Sequence, residues 1–180
     1  DALNVSETIK AFDEFLKSEG LTFEATVIGG AALSVMKIIT RETIDIDCLS
    51  PKIPKKILEA SYKFRSMYPE LNLIERWLNN GPESLLHDLD IGWERRTVDI
   101  FKGHAVNFKT LGRLDLIKSK MFAYCDRQTD LQDCIALNPN EMELIEALKW
   151  VKERDANTDW PEYVEKQFLF FKHQLQKSKK

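Results

Sequence analysis

The chain is poor in the features that mark membrane, metal-stapled and secreted proteins. Among its 180 residues no apolar run approaches the ~20 that a membrane helix requires, and Asp1–Glu7 carries no basic-then-apolar leader, so no membrane association and a cytoplasmic address are expected. Cys48, Cys125 and Cys134 form no C-x-x-C pair, and His87, His104 and His173 keep no H-x-x-x-H spacing, which gives a zinc site little support. Three cysteines, an odd number, fit reduced thiols in a core better than a disulfide framework. Seven glycines and six prolines are too few for a linker-rich chain, and no internal repeat is visible. With 26 basic against 29 acidic residues, the net charge of −3 excludes the broad basic field of a DNA-coating protein.

What is present reads as a mixed first half and a helical second half. Asn4 or Ser6 can cap a helix from about Ser6 to Glu19 with Ile9, Phe12 and Leu16 on its apolar face. Leu21–Ile28 reads as a strand, Gly29-Gly30 as a tight turn, and Ala31–Met36 as a helix. Thr43–Leu49 alternates, with Ile44, Ile46 and Cys48 on one face and Thr43, Asp45, Asp47 and Leu49 on the other. A helix with a basic polar face follows from Pro54 to Tyr68; Leu71–Leu78, Arg96–Phe101 and Ala105–Phe108 read as further strands. From Leu114 the pattern is helical throughout: Leu114–Asp126, Thr129–Leu137, Asn140–Glu153 and Trp160–Gln176. The expected architecture is α+β, with a mixed-sheet core over residues 1–112 and a helical subdomain over 113–180 packed on it as one domain. Trp77, Trp93, Trp150 and Trp160 are all expected in packing rather than on a ligand.

The chemistry concentrates in Val27–Leu49. Carboxylates at i and i+2 of a strand share a face with Cα atoms ~6.5 Å apart, so Asp45 and Asp47 form a candidate clamp for divalent cations. An isolated D-x-D is more often one wet face of an edge strand. Here Gly29-Gly30 precedes it at a strand-to-helix turn, where bare backbone N–H groups can approach a phosphate.

The glycine pair followed by h-D-h-D-h resembles the polymerase-β-like nucleotidyltransferase superfamily, and the string from Gly29 to Asp47 looks closest to AbiEii-type toxins and to an uncharacterised bacterial nucleotidyltransferase-like family. Asp115–Asp133 and the closing Trp160–Phe168 are similar to downstream patterns of those families. The resemblance implies a nucleotidyltransferase fold, Mg²⁺ or Mn²⁺ on Asp45 and Asp47, and a nucleoside triphosphate whose monophosphate passes to an acceptor hydroxyl of RNA, tRNA or a protein. It also implies a toxin-antitoxin setting with an antitoxin partner. A third carboxylate is implied on a neighbouring strand, and Asp99, between Val98 and Ile100, is the candidate, against a reading as a solvent-facing strand residue. Arg41 and Thr43 match the residues ahead of the family's aspartates, and with Gly29 and Gly30 are assigned to the nucleotide. Lys120, Arg127 and Asp130 read two ways. By spacing they are a solvated helix face or a helix-joining salt bridge; by resemblance Lys120 lies on triphosphate oxygens and Arg127 is held by Asp130 or Asp133. Ala31 stands where many relatives carry Ser or Thr, which removes one phosphate contact. The alternative to an enzyme is a non-catalytic nucleotide-binding or regulatory partner with the same fold, and the position of a third acid distinguishes the two.

Overall fold

Asn4 starts the first helix for a local reason. Its side chain accepts from the Glu7 N–H at 2.9 Å while the Glu7 carboxylate accepts from the Asn4 N–H at 3.3 Å, satisfying donors that every helix start leaves open. This helix, α1 (Val5–Ser18), turns Ile9, Phe12 and Leu16 inward at 1% exposure or less. The computed structural model describes residues 4–180, so the reading of the first three residues lies outside it. The chain divides into two units, one ending at Gly112 and the other spanning Arg113–Lys180.

In the first unit α1 is followed by β1 (Phe23–Ile28), α2 (Gly29–Val35), β2 (Ile46–Ser50), α3 (Lys55–Met67), β3 (Leu78–Asn79), β4 (Val98–Lys102) and β5 (Val106–Thr110). The strands form one mixed sheet in the order β3-β2-β1-β5-β4, with β1 antiparallel to β2 and parallel to β5. Phe23, Ala25, Val27, Ile46, Cys48, Val106 and Phe108 join the core with α1 and α3, where Phe12 meets Trp77 and Phe64 edge-on at 4.9 and 5.1 Å. Alternation therefore gives Glu24, Thr26, Asp47, Asn107 and Lys109 to the opposite, polar face. Thr26 lies opposite Ser50 while Val27 lies opposite Cys48, so Leu49 is an extra residue in β2, and this bulge keeps Asp47 and Ser50 on one face.

Asp13 anchors the sheet to α1. Its carboxylate, 4% exposed, accepts from the N–H groups of Ala105 at 2.7 Å, Val106 at 2.8 Å and His104 at 3.2 Å, and so holds the turn between β4 and β5. A Cβ at Gly103 would sit 2.3 Å from that carboxylate, which is why the turn carries glycine there.

The second unit is helical: α4 (Arg113–Arg127), α5 (Leu131–Leu137), α6 (Glu141–Lys152) and α7 (Trp160–Ser178). Phe122 packs edge-on against Trp150 and Trp160 at 6.2 and 6.1 Å, and Arg113 spans two helix ends by donating to the Glu143 carboxylate at 2.8 Å and the Leu137 carbonyl at 2.7 Å. Among the described residues no helix is long and apolar enough to cross a membrane.

The expected α+β class holds, with local differences. Leu71–Leu78 is not a strand: Pro69–Leu71 is a 3-10 turn ending at Asn72 with φ +52°, and two strand residues follow at Leu78–Asn79. Leu71, Leu73 and Trp77 are buried from a loop, which mimics a strand's apolar content without its ladder. β2 begins at Ile46, so Thr43–Asp45 approach the strand without joining it, and Ile44 is 45% exposed rather than aligned with Ile46 and Cys48. Trp77, Trp150 and Trp160 are buried as expected; Trp93, in a 3-10 turn at Trp93–Arg96, is half-exposed.

Candidate functional site

Gly29 leaves β1 with φ +78°, a left-handed backbone that glycine adopts without strain, and opens α2 directly. A Cβ there would stand 2.8 Å from Asp47 Oδ2, and a Cβ at Gly30 would stand 2.9 Å from an Arg41 guanidinium nitrogen. The two missing side chains are thus the space in which one carboxylate and one cation lie against the backbone. α2 has seven residues and no side-chain cap, so its dipole adds little, and positive charge comes from Arg41.

Asp47 lies on the polar face of β2, opposite Ile28 of β1, and Asp45 stands two residues earlier. Burial raises the Asp45 carboxyl above the ordinary carboxylate range, the neighbouring Asp47 charge raises it further, and Arg41 partly offsets both. The Thr43 hydroxyl donates a long 3.5 Å hydrogen bond to the Asp45 carbonyl. Gly29, Gly30, Arg41, Thr43, Asp45 and Asp47 are thereby one cluster.

Asp99 is not part of it. It sits on the edge strand β4 opposite Lys109, three strand spacings or roughly 14 Å from β2, and pairs with Lys102 at 3.1 Å. The strands flanking β2 offer Ile28 on one side and Asn79 on the other. Among the described residues no three His, Cys, Asp or Glu side chains gather as a metal site. Two carboxylates still suit Mg²⁺, which is commonly held by one or two of them together with substrate phosphates and water.

Asn79 is the residue that sequence reasoning missed. It faces Asp47 across the parallel β2–β3 pairing, its amide nitrogen donates to Asp47 Oδ1 at 3.1 Å, and its amide oxygen accepts from the Gly81 N–H at 2.7 Å. Asp47 is therefore held from both sides, with Oδ1 on Asn79 and Oδ2 against Gly29. The next residue, Asn80, ties the same segment to β2 through the carbonyls of Cys48 and Pro51 at 3.1 and 3.0 Å. The signal was the Asn-Asn-Gly-Pro string, which reads as a turn.

Lys120, Arg127 and Asp130 form a cluster of the helical unit. Lys120, 8% exposed, donates to Asp133 at 2.9 Å and Asp130 at 3.4 Å, and Arg127 donates to Asp130 at 3.1 Å. Asp130, with φ +66°, also accepts from the Thr129 hydroxyl at 3.2 Å.

A five-stranded mixed sheet, a glycine turn out of its central strand and an aspartate pair at the adjoining strand together describe a nucleotidyltransferase-like α+β fold. The chain belongs to the family described as a nucleotidyltransferase of unknown function, DUF6036, which it matches over residues 5–171. No curated protein and no solved structure matches the chain.

Proposed function

We propose that the protein moves a nucleoside monophosphate from a nucleoside triphosphate to an acceptor hydroxyl at the Gly29–Asp47 cluster, with Mg²⁺ or Mn²⁺ held by Asp45 and Asp47. The observation that carries this reading is the placing of the Asp47 carboxylate and the Arg41 guanidinium against the bare backbone of Gly29 and Gly30, with a second carboxylate, Asp45, two residues away. When bound, the cation supplies charge neutralisation for the triphosphate and for the oxygens of the displacement. Arg41 serves the phosphates, Gly29 and Gly30 let the Asp47 carboxylate and the Arg41 guanidinium lie close against the backbone, and Asn79 fixes the Asp47 rotamer so that Oδ1 stays occupied. The acceptor oxygen bonds to the α-phosphorus as its bond to pyrophosphate breaks, and the hydroxyl proton is released to water. The resemblance of the Gly29–Asp47 string to AbiEii-type toxins is the support for a toxin-like cytoplasmic enzyme with an antitoxin partner, acting on RNA, tRNA or a protein.

A second reading has its own support. With Asn79 opposite Asp47 and Asp99 at the far edge strand, the acid that distinguishes enzyme from binding module does not face the pair, which favours a non-catalytic nucleotide binder. Incubation with each labelled triphosphate, Mg²⁺ or Mn²⁺, and bulk tRNA or lysate decides between them. Label transfer by the parent chain and not by Asp47→Asn supports the enzyme. Nucleotide-dependent thermal stabilisation without transfer supports the binder.

A further inference from the structure

The polar face of the sheet continues past the aspartates into a cavity of about 290 Å³ that the proposed chemistry has not used. Its floor is Glu24, Thr26, Asn107 and Lys109 on β1 and β5; Ser50 closes one side and Trp93 forms part of the wall. The Thr26–Ser50 pair lies two residues, or about 7 Å, along β1 from Ile28, which faces Asp47, so this cavity and the aspartates share one surface.

We propose that this cavity is the acceptor subsite and takes the terminal nucleoside of a single-stranded nucleic acid. The inference rests on the function proposed above. Phosphoryl displacement requires entering and leaving oxygens on opposite sides of the α-phosphorus. The Gly29–Gly30–Arg41 end of the cluster receives the phosphates, so pyrophosphate leaves there, and the acceptor enters from the other side of Asp47, where the cavity lies. The lining then selects the kind of acceptor. Trp93 is the half-exposed tryptophan of this chain, and an indole at the wall of a polar cavity offers a stacking surface to a flat ring. Below it a carboxylate, an amide, an ammonium and a hydroxyl match the mixed donors and acceptors of a base edge and a ribose, and exceed what a seryl or tyrosyl side chain can use. The volume suits one nucleoside, at the lower end of small-ligand sites of about 300–1,000 Å³. Exposed Arg95, two residues after Trp93, and Lys109 supply cations for the adjoining phosphates.

The test is tryptophan fluorescence of the full chain titrated with hexauridylate, hexaadenylate, their deoxy counterparts, and short seryl and tyrosyl peptides. Trp77, Trp150 and Trp160 are at most 9% exposed, so quenching reports Trp93. Saturable quenching by the oligonucleotides is expected, and the ribo and deoxy arms tell RNA from DNA. By fluorescence anisotropy of a labelled hexamer, Trp93→Phe should bind within about threefold of the parent, and Trp93→Ala about tenfold more weakly or worse, on the scale of one stacked base. Asn107→Leu gives a second variant should Trp93→Ala not fold, with a comparable loss expected. Stabilisation by Mg²⁺ and triphosphate should be equal in the parent and all three variants, which separates this inference from the parent proposal. Oligonucleotide binding that ignores both Trp93→Ala and Asn107→Leu, or quenching by the peptides instead, overturns the acceptor assignment whether or not the triphosphate binds.

Discussion

The two units each carry a cluster of charge, and the clusters are built on opposite terms. In the helical unit Lys120 and Arg127 meet Asp130 and Asp133, two cations for two acids, with Lys120 and Asp133 at 8% and 3% exposure. In the sheet unit Asp45 and Asp47 stand together beside Arg41, two acids for one cation, half-open to solvent. The first is satisfied by the fold, while the second is held in place by missing side chains at Gly29 and Gly30 and by the amide of Asn79. A fold that pairs charges fully in one place and keeps repulsion in another marks the second as the place a ligand completes.

That contrast breaks most decisively at Asp47. Asp47→Asn should lower label transfer roughly a thousandfold or more, about 4 kcal/mol of barrier, while the urea midpoint stays within error or rises. Lys120→Ala should do the reverse, costing the helical unit about 3–5 kcal/mol because the buried Asp133 carboxylate loses the Lys120 cation, while the half-buried Asp130 keeps only Arg127 as its cation. Denaturant unfolding followed by hydrogen exchange assigns the loss to one unit. A stable Lys120→Ala protein with weakened nucleotide binding would reverse the comparison and move Lys120 into the site.

A third charged group sharpens it. Asp13 is a buried acid satisfied by backbone N–H groups in place of a cation. Burial raises its carboxyl, but the donors of Ala105, Val106 and His104, with the His104 charge, outweigh that and leave it lowered. A lowered folded value stabilises the protein above the ordinary carboxylate range of about 3.9 and is lost as pH falls through the folded value. Asp13→Ala should cost about 3 kcal/mol at pH 7, less under strong acid, read as a shrinking gap between the parent and variant denaturation midpoints.

The glycine turn was legible because it is local, a glycine pair between a β-branched run and a helical run; the alternation at Thr43–Leu49 put Asp47 on a strand but ran too far, since Thr43–Asp45 precede β2 and Leu49 is the extra residue of its bulge. The four helices of the second unit were legible for the same reason, within a few residues at each end. Asn79 was not, since a two-residue strand has no period and its meaning comes from pairing with a segment 32 positions away. Asp99 reads correctly as a strand residue, but sequence does not say that β5 and β1 intervene between its strand and β2. Lys120 and Asp130 keep helical spacing, and the burial of Lys120 against Asp133 depends on how α4 meets α5 after the left-handed residue Asp130. Asp13 looks like the polar side of an amphipathic helix until the turn at Gly103 closes on it.

The smallest effect separates crowding from pairing within the site itself. Asp45 has a raised carboxyl, through burial first and the Asp47 charge second, so its ionised form is disfavoured by the fold. The sign is opposite to that of Asp13: stability is fully present below the ordinary carboxylate range and is lost as pH rises through the raised value. Asp45→Asn, which does not ionise, should therefore unfold at slightly higher denaturant than the parent at pH 7, by a few tenths of a kcal/mol at a site this open to solvent. The two chains should converge as pH falls below the raised value. Mg²⁺ with triphosphate should invert the order, since ligand binding stabilises the parent and the variant has lost one carboxylate of the clamp. A variant weaker than the parent in the absence of ligand would mean that Asp45 is paired like Lys120, and the contrast between the two clusters would fail at its own centre.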